Sequence, residues 1–189
     1  MTKFTTHTAE TAPAGSKAML EGAQAKMGFI PNIFGNMAEA PALLEGYMAL
    51  AGIFDGKSSL DDAERQIVTM TNNILNGCGY CMAAHTVIAQ GQSVPEDVIN
   101  AMRDGTPLPN AKLEALRTFS RIVNEKHGRP SEAELQAFFD AGYDQQAALD
   151  VVVGTALKVM SNYTNAITGT NVDEAFQPAA WSENGQQAA

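Results

Sequence analysis

The sequence predicts an all-α protein. Apolar residues recur at helical spacing from end to end, capping and breaking residues punctuate those recurrences, and alternating runs of Val, Ile and Thr are almost absent. At 189 residues the chain is long enough for one substantial core. A single domain is expected over 16–178, with a flexible segment at 1–15 and a frayed tail at 179–189.

The first helix is expected over 16–27, where Met19, Leu20, Ala23 and Met27 share a face and Gly28 suits a left-handed C-cap. Asn32 is placed to cap a short helix ending near Asn36. Pro41 fits the first turn of a third helix, whose buried stripe is Leu43, Leu44, Tyr47, Leu50, Ala51 and Phe54, with Gly56 beyond its end. Ser59, three residues before Asp62, reads as a capping-box variant opening a helix that carries Ala63, Ile67, Met70 and Ile74. Asn76-Gly77 is a break, so the next helix, 78–90, begins at a cysteine and closes at Gly91. Pro95 starts a helix to about Arg103, and the 105–109 stretch is a loop. Leu113, Leu116, Phe119 and Val123 mark a helix over 110–126, ended by Gly128-Arg-Pro130. Ser131 and Glu134 form a capping box for a short helix that Gly142 ends. Asp144 then caps the longest apolar run, in which Leu149, Val152, Val153, Ala156, Met160, Tyr163 and Ile167 predict the central core helix. No internal repeat of 20 to 50 residues is visible.

The net charge is −9, which argues against nucleic acid or an anionic membrane as partner, since both require clustered Lys and Arg. No apolar run approaches the roughly 20 residues that cross a bilayer, and the first 15 residues lack the basic start and apolar block of a secretion signal. A cytoplasmic protein is expected. The two cysteines are separated by two residues and cannot staple distant parts of the fold.

Cys78-Gly-Tyr-Cys81-Met-Ala-Ala-His85 is the segment whose residue types point to chemistry rather than packing. Positions i, i+3 and i+7 fall on one helical face, so Cys78, Cys81 and His85 project together. A sulfur at a helix start meets unpaired N–H groups and the positive end of the dipole, both of which favour the thiolate. An imidazole nearby takes the thiol proton or, once charged, holds the thiolate. Two cysteines at this spacing can also close on each other, which would resolve an oxidised Cys81 before irreversible oxidation. Two plainer readings stand beside this one. Helical cysteines are often small buried apolar residues. Zinc could be held by Cys, Cys and His, but a structural site needs a fourth ligand, and the other histidines are His7, near the start, and His127, at a helix end. No metal and no organic cofactor is expected, the redox group being the cysteine pair itself.

At these residues the chain resembles the AhpD-like alkylhydroperoxidase and carboxymuconolactone decarboxylase superfamily, in particular its peroxidase-related members. The resemblance rests on the Cys-x-x-Cys-x-x-x-His motif after Asn76-Gly77, with Gly28-Phe-Ile-Pro-Asn32, Pro41-Ala-Leu-Leu44, Glu64-Arg65 and Asn162-Tyr163-Thr-Asn165 around it. It implies an all-α fold assembling as dimers, trimers or hexamers, and a cysteine-dependent reduction of hydroperoxides in which Cys81 is peroxidatic, Cys78 resolving and His85 part of a proton relay. It also implies electron supply from a thiol, lipoyl or peroxiredoxin partner. The same resemblance admits a thiol-disulfide reductase for such a partner. A redox-sensing or zinc-holding oligomer is a non-enzymatic alternative. Muconolactone decarboxylation is disfavoured, because the family's decarboxylases lack this cysteine pair.

The chain departs from the family pattern twelve residues before the first cysteine, where a glutamate of the relay is replaced by Gln66. An amide positions by hydrogen bonding but accepts no proton at neutral pH. Glu64 lies about 200° around the helix from Gln66 and cannot simply substitute. Slower peroxide turnover than in relatives with the acid is therefore expected. Gln66 is either a positioning residue or a surface amide, and Tyr80 either donates near the site or packs. Asn162, Tyr163 and Asn165 either support the site or satisfy helix contacts.

Overall fold

The computed structural model describes residues 4–182. Every regular element among them is helical: α1 (Ala14–Met27), α2 (Asn32–Met37), α3 (Pro41–Lys57), α4 (Asp62–Leu75), α5 (Gly79–Gly91), α6 (Glu96–Asp104), α7 (Ala111–Glu125), α8 (Glu132–Asp140) and α9 (Gln145–Thr168), followed by a 3₁₀ turn at Glu174–Ala179. The all-α expectation holds. The terminators behave as their chemistry requires, with Gly28 in the left-handed conformation behind α1 (φ 81°) and Pro41 at the first turn of α3. Ser131 and Glu134 make the expected capping box, and Asp144 caps α9 by accepting from the Ala147 N–H.

Two caps differ from expectation. The box of α4 is made by Asp61 with Glu64, two residues beyond Ser59, because a carboxylate in that position satisfies the Glu64 N–H while Glu64 returns to the Asp61 N–H. Ser59 is drawn elsewhere: its N–H and hydroxyl both donate to the Asp150 carboxylate, tying the α3–α4 loop to α9. Asn32 is the first residue of α2 rather than its cap. Its N–H is satisfied from a distance by the Asp173 carboxylate, at 3.0 and 3.3 Å.

The central helix is α4, not α9. It packs against α5, α7 and α9, and from Gln66 to Asn73 every residue is buried. The larger cluster of apolar side chains joins α4 to α6, α7, α8 and α9, and a smaller one joins α1, α2 and α3 to the start of α5. Helix α9 lies across both with its polar face inward. Leu149, Val152, Tyr163 and Ile167, expected in the core, are 49–69 % exposed, whereas Lys158, Ser161, Asn162 and Asn165 are buried. Periodicity locates a face; it does not say which of two faces a site will claim.

Both ends of the described chain are fastened to this body. The His7 N–H donates to the Gly35 carbonyl and the Thr6 hydroxyl to Asn36, and a Cβ at Gly35 would come within 2.7 Å of the His7 carbonyl oxygen. Arg103 donates to the Ala179 and Ala180 carbonyls, and the Trp181 indole donates back to the Arg103 carbonyl. Of the tail expected to fray, 179–189, residues 183–189 lie outside the described residues.

Candidate active site

Asn76-Gly77 ends α4 as the sequence suggests, with Gly77 in the left-handed region (φ 62°). The turn delivers Cys78 to the N-cap of α5, where its sulfur accepts the Cys81 N–H at 3.3 Å and its own N–H is taken by the Asn73 carbonyl. Both thiols are reduced and buried, 6 % and 2 % exposed. They are adjacent, because one amide group, Asn165 Nδ2 on α9, reaches both sulfurs, at 3.5 Å for Cys78 and 3.2 Å for Cys81. Behind them Asn162 donates to Asn73 and accepts from Asn76, so an asparagine ladder fixes α9 against the end of α4. Asn162 and Asn165 thus support the site, whereas Tyr163 points outward, 54 % exposed.

His85 lies two turns into α5, but its nitrogens do not meet the sulfurs. Nδ1 is 2.8 Å from Gln66 Oε1 and 3.3 Å from the Thr69 hydroxyl, and Nε2 is 2.8 Å from the ammonium of Lys158. Gln66 is buried and in turn donates its amide nitrogen to Gln92 Oε1 at 2.8 Å, which makes it a positioning residue and not a surface amide. Tyr80 is directed away from this cluster: its hydroxyl donates to Asp173 at 2.6 Å and its ring meets Phe176 edge-on. It fastens the C-terminal segment over the start of α5.

The electrostatics separate the two thiols. Burial pushes the Cys81 thiol up, but a hydrogen bond from Cys78, the Lys158 charge and the Asn162 and Ser161 side chains outweigh it and bring it down to about 6. Cys78, donating its proton toward Cys81 and partly desolvated, is driven far up. The two shifts belong to one coupled pair, whose consistent content is a first proton leaving from Cys81 and a second held by Cys78. His85 is pushed well below the usual imidazole range by burial and by Lys158, so it stands neutral. Lys158, 1 % exposed, was absent from the sequence reading, where it was one polar position in an apolar run. A lysine at position 158, within the apolar stretch 151–160, was the available signal.

A pocket of about 170 Å³ reaches Cys78 from solvent, lined among others by Asn76, Asn162, Asn165 and Thr170. Among the described residues no group of three or more His, Cys, Asp or Glu side chains is placed to hold a metal ion, and no helix is long and apolar enough to cross a membrane.

The carboxymuconolactone decarboxylase family matches residues 41–117, the stretch that carries α3 to α5 and both cysteines. The fold agrees over nearly the whole chain with the AhpD-core, peroxidase-related protein of Ralstonia eutropha JMP134, at a TM-score of 0.82 with 21 % identity, covering 92 % of this chain and 93 % of that one. Over residues 41–117 the chain is similar to the carboxymuconolactone decarboxylase family, and its fold is that of the AhpD core. A second structural neighbour is the peroxidase-related protein of Silicibacter sp. TM1040, with TM-score 0.76, 20 % identity and coverage of 93 % and 97 %. A third is the debrominase Bmp8, with TM-score 0.77, 19 % identity and coverage of 95 % and 96 %, also known as a cysteine-to-alanine variant in complex with 2,3,4-tribromopyrrole. No curated protein matches this chain.

Proposed function

We propose that this AhpD-like chain is a dithiol oxidoreductase that reduces hydroperoxides. The observation that carries the reading is the asymmetry of the pair: two adjacent buried thiols under one amide, one favoured as thiolate and one as thiol. The Cys81 thiolate attacks the outer peroxide oxygen, the O–O bond breaks to give the sulfenic acid, and the leaving alkoxide takes a proton from water. Cys78 then displaces hydroxide from the sulfenic acid of Cys81 and supplies the proton that makes it water, giving the Cys78–Cys81 disulfide. An external dithiol returns the pair to its reduced state. His85, neutral and bonded on both sides, holds its neighbours in register and does not serve as the base that the family pattern suggests.

Reduced protein mixed with a small excess of an organic hydroperoxide is expected to lose both thiols and two mass units. Cys81→Ser should abolish peroxide consumption, and Cys78→Ser should consume about one equivalent and stop at the sulfenic acid. Turnover by Cys81→Ser at the normal rate would overturn the reading. Saturable reduction of a lipoyl or peroxiredoxin disulfide without peroxide consumption would select a disulfide reductase instead. The same assay with 2,3,4-tribromopyrrole tests whether the pair gives its electrons to a carbon–bromine bond.

The outward apolar face of α9 supports self-association, with Leu149 and Ile167 the most exposed large apolar residues on it.

A further inference from the structure

Asn165 stands over the cysteine pair with half of its amide unspent. Its Nδ2 donates to both sulfurs, at 3.2 Å to Cys81 and 3.5 Å to Cys78. Its Oδ1 is buried and accepts no hydrogen bond from any described residue. Buried acceptors are normally paired, and one left open beside a nucleophile calls for a donor. Turning the amide over does not satisfy it. The oxygen would then face Cys81, whose thiolate offers no hydrogen, while the Cys78 hydrogen is already directed at Cys81.

The other polar groups nearby are committed. The pocket that reaches Cys78 from solvent is lined by Asn76, Tyr80, Asn162, Asn165 and Thr170, and by no charged side chain. Asn76 donates to Asn162, which donates to Asn73. Tyr80 donates to Asp173, and Thr170 bonds to Asn36 and Thr168. Among the polar side chains that line the pocket, Asn165 is the one with a buried atom left unpaired. His85 cannot supply the missing group, because its nitrogens are engaged by Gln66, Thr69 and Lys158. An uncharged pocket that ends at an open acceptor and a sulfur suits a small uncharged molecule with a hydrogen to donate.

We propose that Asn165 is a catalytic residue of the peroxide step: while its N–H holds the Cys81 sulfur, its carbonyl oxygen accepts the hydrogen of the outer peroxide oxygen and sets that oxygen before the sulfur. This deepens the dithiol reading and rests on it. The Cys81 thiolate attacks the outer oxygen, an S–O bond forms, and the O–O bond breaks with its electron pair going to the inner oxygen. Sulfur is oxidised by two electrons and the peroxide is reduced by two. The alkoxide leaves and takes a proton from water. The hydrogen on the transferred oxygen never moves; it becomes the hydrogen of the sulfenic acid and still donates to Asn165 Oδ1. One side chain thus holds both ends of the bond that forms, so its contribution is orientation and needs no change of protonation.

The test compares two single-turnover rates on the full-length Cys78→Ser protein, in which Cys81 is the one thiol left. The reagent tert-butyl hydroperoxide brings an O–H to donate; methyl methanethiosulfonate, also small and uncharged, brings none. Asn165→Ala is expected to slow both reactions, since the sulfur loses its N–H, and to slow the hydroperoxide about tenfold more, the worth of one further hydrogen bond. Asn165→Asp keeps an acceptor oxygen in the same shape, and should slow both reactions without lowering the ratio of the hydroperoxide rate to the thiosulfonate rate. If the alanine variant keeps the parent's ratio, the amide acts on the sulfur alone and the assignment is overturned while the peroxide reading stands. If Cys78→Ser takes up the thiosulfonate and ignores the hydroperoxide, both are overturned. Should the alanine protein fail to fold, the peroxide-oxidised Cys78→Ser protein decides. With isotope-labelled asparagine side chains, its sulfenic acid should draw one amide carbonyl band to lower infrared frequency, and unmoved bands would overturn the assignment.

Discussion

At the scale of single residues, reactivity turns on what surrounds two sulfurs. An ordinary thiol ionises near 8.5, and Cys81 is brought to about 6. Below that value each unit of falling pH should cut its thiolate, and so its alkylation rate, about tenfold; above it the rate should level off. Lys158→Met removes the cation and should move the bend upward, lowering alkylation at pH 7 by about 10- to 100-fold. Iodoacetamide kinetics with Cys78→Ser as background read this directly, and an unmoved bend would deny Lys158 its influence. Spacing singled out Cys78, Cys81 and His85; the two sulfurs do lie under one amide, whereas the His85 nitrogens face Gln66, Thr69 and Lys158. Lys158 was not assigned, and Asn165 was left open between supporting the site and satisfying helix contacts, since nothing local in the sequence says that a residue over 70 positions away will meet the motif. The amide at 66 was seen as a departure, but its partner Gln92, 26 positions on, was not.

At the scale of helices, caps and breaks were read well where a single residue decides them, as at Gly28, Pro41, Ser131 and Asp144. They were misread at Ser59, because the cap is Asp61, two residues on. The larger error was the face of α9. An apolar stripe is driven inward only if the opposite face has no stronger claim, and here that face provides Lys158, Asn162 and Asn165 to a buried site. Gly154 shows how closely this face is packed: a Cβ there would lie 2.7 Å from Val68 Cγ1 and 2.8 Å from Phe54 Cζ, both core side chains. Gly154→Ala gains about 1 kcal/mol of helix propensity. Overpacking should outweigh it and leave the protein about 1–2 kcal/mol less stable by denaturant unfolding. A stabilised variant would mean that α9 can back away from α4.

At the scale of the whole molecule, the exposed side of α9 is the counterpart of its polar interior. Leu149 and Ile167, 68 % and 69 % exposed, stand nearly five turns apart on one helix. Replacing both with Glu is expected to lower the sedimentation coefficient if copies meet there, with the thiols still titrating normally. An unchanged coefficient would place any association elsewhere.

The contacts around the cysteines and His85 also span long stretches of chain: 73 positions from His85 to Lys158 and 84 from Cys81 to Asn165. Chains are synthesised from the N-terminus, so the cysteines emerge well before the helix that acidifies one of them. Until α9 docks, Cys81 has no ammonium beside it and behaves as an ordinary, largely protonated thiol. On the dithiol reading proposed above, this keeps the nascent polypeptide from premature oxidation, and the reactive pair is completed by folding itself.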